Sequence, residues 1–149
     1  MYITLMTAYG ASAGINYKFG GTVANTLHAH RLIQHFQSHS PDGHEVADKL
    51  VTSLYRQYFE EEKHPSSHET LMQACKDAGI AESEARKVVE DESLGLSEVK
   101  EAILEQRVNG IDSVPMVLVE GRRRDFTYQG AKEVEEYEKG LLQVVKESN

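Results

Sequence analysis

The stretch NGIDSVPMVLVEG, residues 109–121, is where the chain changes its period, and that change limits the folds open to it. Upstream, apolar residues recur at helical spacing. Here Gly110 closes the last helical pattern, Pro115 precedes the run Met116–Val119, and Gly121 ends that run. A short continuous apolar run reads as a strand buried on both faces, which needs a sheet covered by helices. Gly121–Arg124 reads as a turn and Asp125–Tyr128 as a second short strand, so the pair predicts a hairpin. A closing helix from about Ala131 to Lys146 follows, with Val134, Tyr137, Leu141, Leu142 and Val145 inward.

The chain opens with a helical stretch, MYITLMTAYGASAG, that ends at Gly14. Ile15, Tyr17 and Phe19 then alternate with Asn16 and Lys18, a period of two that predicts a half-buried strand ended by Gly20-Gly21. A helix from about Asn25 to Gln37 carries Ala29, Leu32, Ile33 and Phe36 on one stripe, with Asn25 as its N-cap. HSPDG makes a turn. HEVADKLVTSLYRQYFEEEKH, residues 44–64, forms a long helix with Val46/Ala47, Leu50/Val51, Leu54/Tyr55 and Tyr58/Phe59 as apolar pairs. Ser66 and Glu69 have capping-box spacing for the next helix; its Leu71, Met72, Cys75 and Ala78 share a face, and Gly79 is its C′ residue. Two more helices run from about Glu82 to Glu90 and from about Ser97 to Asn109. The order strand, helical block, hairpin, helix predicts one α/β domain over residues 1–149, with an all-helical insertion between about Thr22 and Asn109.

Composition excludes several partners. The chain has 149 residues, 40 % apolar and 27 % charged, which suits one globular domain. Its net charge of −8 repels phosphate backbones, so nucleic acid is not an expected partner. No apolar run approaches the ~18 residues of a membrane span, and the first residues lack the basic start of a secretory signal. The one cysteine, Cys75, excludes an internal disulfide or Cys-x-x-Cys pair in these residues and points to a reducing, cytoplasmic setting.

Three stretches together resemble the DsbA-like branch of the thioredoxin family, FrnE-type. GINYKFGGTVANTLHAHRL is similar to that group's strand followed by an Asn-Thr-x-x-Ala-His-Arg helix start, here Asn25, Thr26, Ala29, His30 and Arg31. NGIDSVPMVLVEG resembles its Gly-Val-Pro approach to a strand, and FTYQGAKEVEEYEKGL its closing strand and helix. The resemblance implies a thioredoxin-like α/β fold of the DsbA type and a thiol–disulfide oxidoreductase or isomerase class. It makes Pro115 the cis-proline facing the redox centre and Val114 the residue whose backbone meets the substrate. Asn25 and His30 become further substrate-lining candidates. The expected ligands are a peptide or glutathione thiol or disulfide, with glutathione as a co-substrate and no resident cofactor.

One expected part is missing. The family opens with a strand and a Cys-x-x-Cys at a helix N-terminus, where the helix end favours a thiolate; neither is present. By the resemblance the first strand lies centrally, so its loss leaves inner sheet edges unpaired. Three explanations follow, in this order: an N-terminally truncated reading of the gene, direct pairing of Ile15–Phe19 with Met116–Val119, or a strand supplied by another chain, including a second copy. As written, the chain is expected to be inactive in dithiol chemistry, which takes two thiols. A glutathione-dependent transferase or isomerase of the kappa or chromene-carboxylate type, accessory to small-molecule (polyketide) biosynthesis, is the alternative, and a non-catalytic interaction domain the third reading.

The remaining chemistry-bearing residues read as structural. Cys75 lies on an apolar stripe and is expected to be buried and inert. His28, His35 and His39 share a helix face without an acidic ligand on that helix, which reads as a solvated face and not a metal site. The acid-rich runs at 60–63, 90–92 and 133–139 read as solvated surfaces, and GRRR at 121–124 as a hairpin tip.

Overall fold

The computed structural model describes residues 1–148. Its elements are α1 (Tyr2–Ser12), α2 (Leu27–His39), α3 (Gly43–Phe59), α4 (His68–Asp77), α5 (Glu82–Glu90), α6 (Leu96–Val108), β1 (Met116–Val119), β2 (Phe126–Gln129) and α7 (Val134–Ser148). They form two compact units, Met1–Glu101 and the residues from Ala102 onward.

In the first unit, α2 to α5 pack in succession, each on the next. Ala29, Leu32 and Phe36 of α2 meet Leu50 and Leu54 of α3, then Leu71, Ala74 and Cys75 of α4, then Ala85, Val88 and Val89 of α5. Leu32 and Leu50 are wholly buried, each contributing about 1.5–3 kcal/mol. The helix ends follow local chemistry. Gly79 (φ +78°) ends α4 in a Schellman motif: its N–H donates to Lys76 O (3.1 Å), and the Ile80 N–H donates to Cys75 O (3.0 Å). Asn25 Oδ1 accepts from the Leu27 N–H (2.9 Å), although Thr26 holds the N-cap position. The capping interaction of α4 sits one residue later than expected: Ser67 Oγ accepts from the Thr70 N–H (3.2 Å), and Glu69 pairs instead with Lys63 (3.0 Å).

The expected strand at Ile15–Phe19 is absent; the segment is irregular. Its alternate N–H groups are taken by the end of α3. Asn16 N donates to Glu60 Oε1 (2.8 Å), Lys18 N to Phe59 O (2.8 Å) and Gly20 N to Glu62 Oε1 (2.7 Å). This also explains why α3 stops at Phe59 and not near His64. Carboxylates at 60–62 are unfavourable at a helix C-terminus, and two of them cap the 16–20 segment instead.

In the second unit β1 and β2 pair antiparallel, Met116 opposite Gln129 and Val119 opposite Phe126. Among the described residues β1 pairs with β2 alone. Nor is β1 buried on both faces: Val117 and Val119 are half-buried, whereas Met116 and Leu118 are 39 % and 53 % exposed. Helix α7 packs on this hairpin through one face. Tyr137 meets Tyr128 edge-on (5.2 Å), and Gly140 lies under the Tyr128 hydroxyl, which donates to Glu136 O (3.1 Å). Val134, Leu141, Leu142 and Val145, expected inward, are exposed.

Candidate functional site

The loop from Gly110 to Pro115 is positioned at both ends. Gly110 (φ +77°) closes α6 with its N–H on Arg107 O (3.0 Å) and the Ile111 N–H on Gln106 O (3.0 Å), a second Schellman motif. At the other end Pro115 O accepts from the Gly130 N–H (2.8 Å). Between them Gln129 Nε2 donates to Ser113 Oγ (2.8 Å) and faces Asp112 Oδ1 (3.4 Å). The end of β2 therefore buttresses the loop, a contact that the sequence pattern gave no reason to expect.

The Val114–Pro115 peptide bond is cis, as the resemblance implies. Val114 is 85 % exposed, and neither its N–H nor its C=O has a hydrogen-bond partner among the described residues. An exposed donor and acceptor at the head of a strand can pair with an extended ligand.

Asn25 and His30 lie in the first unit, at the start of α2; Val114 and Pro115 lie in the second. Asn25 Oδ1 is committed to the Leu27 N–H, whereas His30 is exposed.

Cys75 is wholly buried within the helical core. Burial pushes its thiol up to about 12, so almost no thiolate is present at neutral pH. Among the described residues no group of three His, Cys, Asp or Glu side chains is placed to hold a metal ion. The histidine face of α2 is not the solvated surface expected. His28 and His35 are half-buried there, and Arg31 on the same face is 1 % exposed. The Asp91–Gly95 turns cover that face, a tertiary contact that helical periodicity cannot reveal. Sequence reasoning named Arg31 only as part of a motif and assigned it no role.

No helix among the described residues is long and apolar enough to cross a membrane. No curated protein matches the chain significantly. The family model described as DSBA-like thioredoxin domain matches residues 1–142. With a match of that extent, a cis-proline at the mouth of β1 and a helical block before the hairpin, the chain belongs to the DSBA-like thioredoxin domain family, a family of the thiol–disulfide oxidoreductase type.

Proposed function

We propose that the 112–115 loop is the substrate-facing backbone of a thiol–disulfide exchange site, and that it takes an extended peptide or glutathione. The observation that carries this reading is Val114, exposed at the head of β1 with its N–H and C=O unpaired among the described residues. A ligand strand laid against those groups gains main-chain hydrogen bonds without a preformed pocket.

In this reading the chain does not perform dithiol chemistry with its own residues. Exchange followed by resolution takes two thiols, and Cys75 is single, buried and held as the neutral thiol. A purified chain supplied with glutathione is expected to reduce insulin disulfides no faster than its Cys75→Ala variant. Faster turnover by the unaltered chain would overturn this part.

The buried Cys75 also favours a second reading, in which the thiol arrives with the ligand, as in a glutathione-dependent transferase or isomerase. Either way the motifs resemble the FrnE-type group, and a reducing, cytoplasmic setting suits a lone cysteine. The half-exposed Met116 and Leu118 support a further part of the reading, that a second copy or another strand donor completes the hairpin. Retention on immobilised glutathione tests the loop itself. Val114→Pro, which removes the N–H and keeps an apolar side chain, is expected to abolish retention while the helical circular-dichroism signal stays unchanged. Undiminished retention by the folded variant would move the site elsewhere.

A further inference from the structure

The irregular segment 15–21 is held firmly in place. Glu60 and Glu62 each accept a backbone N–H from it, at Asn16 (2.8 Å) and Gly20 (2.7 Å), and Phe59 O accepts from Lys18 (2.8 Å). The grip on Gly20 carries strain, because Glu62 has φ +58°, a left-handed conformation that a residue with a Cβ avoids. Gly20 and Gly21 permit the approach. A Cβ at Gly20 would collide with the Glu62 carboxylate, and one at Gly21 would come within 3.2 Å of Glu62 Cα. Strain of this kind persists only where the surroundings over-determine it, and it gathers at ligand sites.

The clasp positions one wall of a cavity. Between this segment, α1 and the end of α3 lies a cleft of about 270 Å³, within the first unit. Tyr2, Tyr17, Phe19, Tyr58 and Phe59 line it with five aromatic rings, and Lys18 is its one charged lining residue among those described. Tyr17 and Tyr58 both meet Phe59 edge-on, at 5.5 Å and 5.0 Å between centroids, and Phe19 lies 6.1 Å from Tyr17. Rings crossed in this way do not close flat on one another, so faces remain for a guest. Tyr2, Phe19 and Phe59 are exposed around the opening, and contiguous apolar surface of this kind marks binding sites.

We propose that this cavity binds a small, flat aromatic carboxylate, with its ring system among the aromatic side chains and its carboxylate paired with Lys18. The volume sets the size, since drug-sized ligands fill about 300–1,000 Å³ and this cleft lies just below that range. Charge sets the sign. Aromatic walls alone would also attract a cation, but the Lys18 ammonium stands in the wall and has no ion-pair partner among the described residues. Glu60 and Glu62, which would favour a cation, do not line the cleft, and each commits an oxygen to a backbone N–H. The site is separate from the Val114 loop in residues and in ligand chemistry, and the one can fail without the other.

Three probes with the same ring system and different charge test this: naphthoate, naphthylmethanol and naphthylmethylamine. Each is titrated at pH 7 into the isotope-labelled whole chain, followed by amide chemical shifts. Naphthoate is expected to give saturable shifts over residues 15–21 and 58–62. The alcohol should bind about two- to fivefold more weakly, the amine more weakly still, as befits one partly exposed ion pair. Lys18→Met, at an exposed position, is expected to bring naphthoate down to the alcohol's affinity and to leave the alcohol unchanged. Phe19→Ser should weaken all three alike, by about two- to tenfold. Absence of saturable shifts, shifts centred outside the cleft, or an amine that binds as well as the acid would each overturn the proposal; the last would mean that Glu60 and Glu62 set the sign. A preference for naphthoate that survives Lys18→Met would overturn it as well.

Discussion

Asp77, in the last turn of α4, ties two helices with one carboxylate. Its Oδ2 accepts from Ser53 Oγ (2.6 Å) and Arg56 Nη2 (2.7 Å) of α3, and its Oδ1 accepts from Gln73 Nε2 (2.7 Å) of its own helix. The Ser53 hydroxyl above all, with Gln73 and Arg56 adding to it, holds the carboxyl below the usual range against the opposing effect of burial. A depressed carboxylate contributes stability that is present above the ordinary Asp value of ~3.9 and is lost as pH falls below it. Asp77→Asn is therefore expected to cost about 1–2 kcal/mol at pH 7 and far less by about pH 3. Urea unfolding at the two pH values checks this; an equal loss at both would remove the electrostatic account. Nothing in the sequence separates Asp77 from the other surface acids, because its partners on α3 are more than twenty residues upstream.

At the scale of elements, the sequence was legible wherever spacing alone decides. The helix Glu82–Glu90 and the strand Met116–Val119 lie where their patterns put them, and Gly79 and Gly110 end α4 and α6 as C′ glycines. It was not legible where a distant group competes for the backbone. Ile15, Tyr17 and Phe19 have the alternation of a strand, but Glu60, Phe59 and Glu62 take the N–H groups that a neighbouring strand would use. The candidate loop divides in the same way. Pro115 is visible as a motif, whereas its buttress from Gln129 depends on hairpin register. Two glycines test how well local reasons can be told apart. Gly79 has a positive φ and open space around it, so only backbone conformation requires glycine there. At Gly43, a Cβ would collide with the Gln37 carbonyl at the close approach of α2 and α3. Gly79→Ala is expected to cost about 1 kcal/mol and Gly79→Asn less, since Asn tolerates the left-handed region. Gly43→Ala is expected to cost about 1–3 kcal/mol, with no relief from Asn. Urea midpoints of the four variants would contradict this if Asn rescued both positions or neither.

Across the whole molecule, burial is uneven. Among the described residues the buried apolar side chains all fall between Ala29 and Val99. In α7 the sole buried residue among those described is Gly140, in α1 it is Gly10, and β1 and β2 have none. Local opening costs little where few apolar groups must leave a core, so stability should follow this distribution. Amides of α2–α5 are expected to exchange slowest, by global unfolding, while those of β1, β2 and α7 exchange on the order of a hundredfold faster or more. If a second copy completes the hairpin, the difference becomes concentration-dependent, because binding stabilises only the state that binds. Protection over residues 116–129 and 134–148 should then rise with protein concentration while α2–α5 stay unchanged. Protection equal to that of α4 at high dilution would mean that the hairpin and α7 are stable without added contacts. Low protection that ignores concentration would exclude self-association over that range and leave a different partner, or the ligand of the Val114 loop, as what must order this unit.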